Sequence, residues 1–323
     1  MREGGQVLVT GGAGYIGSHL CEALLGQGYQ VRVLDNLSSG RREFLAACEG
    51  NENFELVVRD LLKDSFGDAL TGCDAVFHLA ANQDIRKALT DPRVDLEQNV
   101  EVTHLLLEAM RRSEVTSLIF TSTSTVYGEA AVVPTPEDYS PMEPISIYGA
   151  SKLACEALIS SYCHTFGFKA VTFRFANVVG GRSTHGVAYD FVQKLRQNTR
   201  ELEILGKEPG TRKSYYHIDD CISGLLAGWK AGSDPYEVFN IGSEDQITVE
   251  EVADTVCSSM GLEGVEYGWT GGVDEGRGWI GDVRNMWLDI SRLKATGWRP
   301  QHRSREAVKL AVKDLSSPSS PEE

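Results

Sequence analysis

Positive charge is scarce in this 323-residue chain: 31 Lys and Arg stand against 46 Asp and Glu, a formal net charge of −15. Nucleic acid and anionic lipid surfaces are repelled at long range by such a balance, so neither is expected as a partner, although a local cationic pocket can still hold a small anion. Long apolar runs are also missing. No stretch approaches the ~18 to 20 apolar residues that cross a bilayer, and residues 1–10 pass from polar residues into a short strand-like run, so neither a membrane span nor a leader is expected. Seven cysteines are present (Cys21, Cys48, Cys73, Cys155, Cys163, Cys221 and Cys257) but no Cys-x-x-Cys pair, a pattern of buried thiols in a reducing cytoplasm rather than of a disulfide framework. The histidines lack His-x-His and His-Glu-x-x-His spacing, so no metal site is expected. Internal repeats are absent, and low complexity is confined to residues 316–323, expected to be a flexible tail.

What is present describes a globular chain, 41% hydrophobic and 24% charged, long enough for about two structural units. Strand-like runs at Gln6–Thr10, 30–34, Phe54–Val58, 75–79, 117–121 and 170–174 alternate with helical periods at 15–27, 94–112 and 148–166. That alternation predicts an α/β fold with a doubly wound parallel sheet of Rossmann type over residues 1–176. Beyond it the chain becomes irregular and Gly-rich, with helical periods at 187–197, 219–230, 249–260 and 303–315. This predicts a smaller C-terminal α/β lobe over 177–315 that binds substrate, part of which (about 215–243) packs back on the first domain.

The first strand runs into Thr10-Gly11-Gly12-Ala13-Gly14-Tyr15-Ile16-Gly17, a Gly-x-x-Gly-x-x-Gly loop that opens a helix. Missing side chains let backbone approach a ligand, and the free N–H groups and dipole of the helix start suit a pyrophosphate. Asp35, at the end of the second strand, is placed to accept hydrogen bonds from an adenosine ribose, which favours NAD over a 2′-phosphorylated cofactor. Further cofactor contacts are expected where other strands end: Asn36 beside Asp35, Asp60 and Leu61 toward the adenine, and Leu79, Ala80 and Ala81 beside the pyrophosphate.

Tyr148-Gly149-Ala150-Ser151-Lys152 puts a phenol and an ammonium four residues apart, adjacent on one helix face. A free tyrosine of pKa ~10 is only about 0.1% ionised at pH 7, so its use as a base needs ~4 kcal/mol of phenolate stabilisation. Lys152 and an oxidised nicotinamide together can supply it. Upstream, Thr121 to Thr125 cluster hydroxyls at the end of the fifth strand, within reach of the same crevice.

In this order the motifs resemble the extended short-chain dehydrogenase/reductase family of nucleotide-sugar epimerases and dehydratases, and are most similar to its UDP-glucose/UDP-galactose 4-epimerase branch. Thr10 to Gly17, Asp35-Asn36-Leu37, His78 to Ala81, Thr121 to Gly128, Tyr148 to Lys152 and Arg174-Phe175-Ala176-Asn177 carry the resemblance, which Lys213 to Asp220 and Gly281 to Asp289 extend into the second lobe. The resemblance implies an NAD-dependent isomerase acting on a UDP-sugar. It makes Tyr148 the base, Lys152 the group that lowers its pKa and holds the nicotinamide ribose, and Thr123 the hydroxyl that bonds the sugar O4. Asn99 is placed near the cofactor, Asn177 near the substrate diphosphate, and Ser124 near the sugar. A cytoplasmic homodimer paired through helices 94–112 and 148–166 is implied as well.

Two reaction types share the family. Sugar 4,6-dehydratases carry Thr-Asp-Glu where this chain has Thr123-Ser124-Thr125, and proton removal at C5 with loss of the C6 hydroxyl needs an acid and a base that alcohols do not provide. The expected reaction is therefore 4-epimerisation of a UDP-hexose through a transient 4-keto sugar. UDP-GlcNAc or UDP-glucuronate as substrate, and a non-catalytic NAD-binding module of the same fold, stay open as alternatives. The chain departs from the pattern of the epimerases it resembles at Gln83, where that pattern has Lys, and at Trp279, where it has Arg. Arg277, Lys213, Arg212 and Arg86 are the candidate cations for the diphosphate, Arg being suited to paired charge-assisted bonds. By the same resemblance Met286 falls where the family has its sugar-pocket wall residue, and its adaptable side chain leaves N-acetyl sugars open.

Overall fold

A computed structural model describes residues 4–82 and 84–316; Gln83 and the rest of the expected tail, 317–323, lie outside the described residues. The chain forms two compact units. The first comprises the residues up to Val126 with Ile147–Arg174 and Leu225–Phe239, and the second Tyr127–Ser146, Phe175–Gly224 and the residues from Asn240 on. The sequence places one boundary at 176/177, whereas segment 127–146 belongs with the second unit. Its anchor there is a bridge between Thr135 and Leu288, with Thr135 N–H bonded to the Trp287 carbonyl at 2.8 Å.

The first unit is built on a seven-stranded sheet. Strands β1 (Gln6–Thr10), β2 (Gln30–Asp35), β3 (Phe54–Val58), β4 (Ala75–His78), β5 (Ser117–Thr123) and β6 (Lys169–Phe175) are joined by a seventh, Tyr236–Ile241, in the order seventh, β6, β5, β4, β1, β2, β3. The pairs β1–β2, β2–β3, β1–β4 and β4–β5 are parallel. Central strands covered on both faces are apolar over most of their length, and Val7, Leu8 and Val9 in β1 and Val76 and Phe77 in β4 are fully buried. The chain moves outward from β1 to β3 and then returns to lay β4 on the other side of β1, the reversal at which open parallel sheets place a crevice at their strand ends.

Helices α1 (Tyr15–Gly26) and α4 (Ile147–Phe166) form where the periodicity predicts them. The period at 94–112 is not one α-helix. It consists of α2 (Arg93–Asp95), a wide π-helical turn over Leu96–Glu101, and α3 (Val102–Arg111). The wide turn carries Asn99, whose buried side chain is bonded at both ends, and such turns are frequent at functional sites. Leu106, Leu107 and Met110 of α3 and Cys155 and Ile159 of α4 share one core with Leu8, Val76 and Phe120 of the sheet.

In the second unit, helices Val187–Gln197, Val249–Ser259 and Ser304–Ser316 share a core with Leu202 and Ile204 of the strand Glu201–Ile204. Thr248 and Glu251 close a reciprocal capping box at the start of the second of these helices, at 3.1 and 2.9 Å. The short strand Arg212–Lys213 pairs antiparallel with Ile247–Thr248 and parallel with Asn285–Met286. All seven cysteines are buried, and none forms a disulfide. Among the described residues no helix is long and apolar enough to cross a membrane.

Candidate active site

The glycine loop turns on contacts that leave no space for side chains. Gly11 leaves β1 at φ +69°, and a Cβ there would lie 2.7 Å from the Ala80 nitrogen, so the turn runs against the backbone that follows β4. At Gly17 a Cβ would lie 2.3 Å from the Gly11 carbonyl oxygen, which fixes how closely α1 approaches the loop. Gly14 precedes α1 in extended conformation with no side-chain cap, and the first turn, Tyr15, Ile16 and Gly17, holds no acid. A helix start with neither a capping side chain nor an internal anion fits a pyrophosphate. Asp35 ties this loop to β2, accepting from the Ala13 N–H at 3.0 Å and the Leu37 N–H at 2.8 Å. Burial pushes its carboxyl up from the usual range, and those two N–H groups oppose the push. A carboxylate has about four lone-pair positions, so two remain for ribose hydroxyls. The residues present therefore fit NAD.

Other expected cofactor positions are more locally engaged. Asn36 Oδ1 accepts from the Ser38 N–H at 3.0 Å. Asp60 accepts from the Leu62 N–H at 2.9 Å and pairs with Lys63 at 3.0 Å, while Leu61 is core. The Leu79 N–H donates to the Thr10 carbonyl at 3.1 Å, and the Ala80 N–H to Thr10 Oγ1 at 3.3 Å, with Ala81 following at the same strand end. Behind them Thr10 Oγ1 lies 2.7 Å from Nδ1 of His78, whose pKa burial and the nearby Lys152 charge lower to about 3, leaving a neutral ring. Asn99 accepts from the Asn82 N–H at 2.9 Å and donates to Ser151 Oγ at 2.8 Å, which fixes the wide turn to α4.

Tyr148 and Lys152 lie one turn apart at the start of α4, and Thr123 ends β5. The Thr123 hydroxyl accepts from the Thr125 N–H at 3.2 Å and lies 3.1 Å from Thr125 Oγ1; Ser124 begins the following turn and is buried. Lys152 is only 2% exposed, so its ammonium needs a partner, and it donates to the Thr121 carbonyl at 2.9 Å with Nζ 4.7 Å from the Phe120 ring centre. Burial pulls the Lys152 pKa down. Burial also drives the Tyr148 phenol upward, and the Asp95 and Cys155 charges push the same way. The bare chain thus holds Tyr148 as a neutral phenol, and phenolate formation requires added positive charge.

The second unit's candidate residues are mostly committed to partners. Asn177 Nδ2 donates to the Ser214 carbonyl at 3.1 Å. Lys213 forms an ion pair with buried Asp282, its ammonium 5.2 Å from the Trp279 ring centre. Arg277 is ion-paired with Glu129, lies 3.2 Å from Asp274 and donates to the Asp282 carbonyl. The sequence reading takes these cations as open to a diphosphate; the structure gives each a carboxylate. Asp282 stands in the Gly281-Asp282 pair that carries the resemblance, but nothing in the sequence marks Glu129. Arg212 is exposed, and Met286 is buried opposite Lys213 in the strand register. Arg86, in the first unit, is exposed with Nε 3.4 Å from Asp84.

Residues 7–242 match the NAD dependent epimerase/dehydratase family. The chain belongs to that family. The UDP-glucose 4-epimerase of Mycolicibacterium smegmatis is 32% identical over 95% of this chain and 97% of its own length. A solved UDP-galactose 4-epimerase superposes with a TM-score of 0.85 at 44% identity, covering 96% of this chain and 98% of that one. The UDP-glucose 4-epimerase of Thermus thermophilus, solved in complex with NAD, gives 0.84 at 32% identity over 97% and 99% of the two chains.

Proposed function

We propose that the protein is an NAD-dependent 4-epimerase that interconverts UDP-galactose and UDP-glucose. The observation that carries this reading is the set of Tyr148, Lys152 and Thr123 at the end of β5, in the same unit as the glycine loop and Asp35, with alcohols rather than carboxyls at Ser124 and Thr125. Bound NAD supplies an acceptor for hydrogen from C4 and its return. Gly11, Gly14, Tyr15, Ile16 and Gly17 hold its pyrophosphate, and Asp35 and Asn36 its adenosine ribose. Asp60 and Leu61 would meet the adenine and Leu79, Ala80 and Ala81 the pyrophosphate, while Asn99 keeps the wide turn against α4. Tyr148 removes the proton from the sugar O4 while Thr123 donates a hydrogen bond to the same oxygen. Lys152 and the positive nicotinamide favour the phenolate that the bare chain disfavours. The 4-keto sugar then turns over and accepts hydrogen on its other face, Tyr148 returning the proton.

Asn177, Lys213, Arg277 and Arg86 serve the diphosphate in this reading, and Ser124 and Met286 the sugar. Because Lys213 and Arg277 are acid-paired, diphosphate binding exchanges one anion for another rather than neutralising bare cations. Zero turnover of UDP-GlcNAc would limit Met286 to hexoses without an N-acetyl group.

The proposed state is a cytoplasmic homodimer. Leu96 is 54% exposed, and with Val100 and Leu158 it forms an apolar groove flanked by Arg93, Glu97 and His104. These residues lie on α2, the wide turn, α3 and α4, and a second copy covers the groove. Sedimentation at micromolar concentration is expected to give a dimer, and Leu96→Asp a monomer; a wild-type monomer overturns the assignment.

A further inference from the structure

The mechanism leaves one buried charged cluster in the first unit unused. Glu156 and Arg174 are each 4% exposed at their side chains and form an ion pair, Arg174 Nη2 lying 2.7 Å from Glu156 Oε2. Arg174 Nε reaches both carboxylate oxygens, at 3.1 and 3.2 Å. Ser122 Oγ donates to Glu156 Oε1 at 2.5 Å. One carboxylate on α4 is therefore bonded to two strands, to β5 through Ser122 and to β6 through Arg174.

The placement along the chain relates this cluster to the chemistry. Glu156 is four residues beyond Lys152 and eight beyond Tyr148, hence on nearly the same helix face. Ser122 immediately precedes Thr123. Around Glu156 the inward residues Cys155 and Ile159 are apolar and fully or almost fully buried, and an apolar residue at 156 would fill the same space. Burying an ion pair gains little stability over well-packed apolar side chains, because desolvation of both charges offsets their attraction. What the pair adds is direction: hydrogen bonds have preferred angles, and apolar contacts do not.

We infer that Glu156 is a positioning residue, which fixes the rotation and height of α4 against the ends of β5 and β6 so that the Tyr148 phenol and the Thr123 hydroxyl meet the same substrate oxygen. The inference rests on the assignment of those two groups to the sugar O4. Misplacement of such groups by about 1 Å costs on the order of a hundredfold in rate, without removing any contact to substrate.

The test compares Glu156→Gln, which keeps shape but removes the carboxylate charge that faces Arg174, with the apolar double variant Glu156→Met/Arg174→Met, which removes both charges together. The double variant separates positioning from stability, since it restores packing without restoring direction. It is expected to melt within a few degrees of the wild type, to keep its NAD and to hold KM for UDP-galactose within about threefold, while kcat falls about tenfold to a hundredfold. Reduced nicotinamide on the enzyme during turnover, read by its absorbance, is expected to change as well, because proton and hydrogen transfer are no longer aligned. Wild-type kcat in the double variant overturns the inference, and so does a loss of kcat that runs in step with loss of NAD and of melting temperature. Should the wild type itself leave every UDP-sugar unchanged, the proposed function fails separately. Amide exchange at residues 148–153 then decides: faster exchange there in the double variant supports positioning, and unchanged protection overturns it.

Discussion

Tyr148→Phe is expected to fold, to keep its bound NAD and to lose turnover by about a thousandfold, within the 100- to 10,000-fold range of a positioned acid or base. The substitution removes one oxygen and keeps the ring, so α4 and its packing against the sheet persist. Only a hydroxyl is lost from a phenol that is neutral in the bare chain, so stability should change by no more than about 1.5 kcal/mol. The loss should fall on kcat and kcat/KM alike, since the phenolate acts in the transition state and not in binding. Normal turnover in this variant would refute the assigned base.

Gly17→Ala should have the second largest effect, on the cofactor. The added Cβ would sit 2.3 Å from the Gly11 oxygen and 2.7 Å from Gly12 Cα, both backbone atoms that cannot rotate away. Either α1 withdraws from the loop or the loop opens, and in both cases the N–H groups leave the pyrophosphate. The expected cost is about 1 to 3 kcal/mol of overpacking strain, with NAD retention falling more than about tenfold. Gly26→Ala is the control: it lies in the same helix, no atom beyond its own stretch of helix backbone lies within 4 Å of its added Cβ, and it should be neutral or slightly stabilising. Equal NAD content in both variants, measured after denaturing the purified proteins, would show that the glycine loop is not the cofactor cradle.

The first unit was largely legible in the sequence because its signals are local. The observed β1 and β3 match the expected bounds, and α1, α4 and the glycine loop follow from periodicity and from residues whose conformational needs are short-range. The sequence does not mark the seventh strand. Tyr236–Ile241 is short and its ends are held by long-range bonds, from Ala170 N–H to the Pro235 carbonyl and from Ala176 N–H to the Ile241 carbonyl, both at 2.9 Å. The wide turn at Leu96–Glu101 escaped because its apolar spacing still passes for a 3.6-residue period over so few residues. Pairing escaped most completely. That Lys152 bonds the Thr121 carbonyl, that Lys213 meets Asp282 and that Arg277 meets Glu129 depends on which backbone and which acid the fold brings near. A charge in a sequence carries no record of its partner.

The central claim, a redox-neutral exchange at C4, is tested most directly by proton NMR of UDP-galactose incubated with the purified protein and no added cofactor, followed to equilibrium. The account predicts conversion to UDP-glucose with no net NADH released. A deoxy-keto sugar as product would contradict the reading of Ser124 and Thr125, and no change in any UDP-sugar by protein that carries NAD would contradict the assignment of an epimerase.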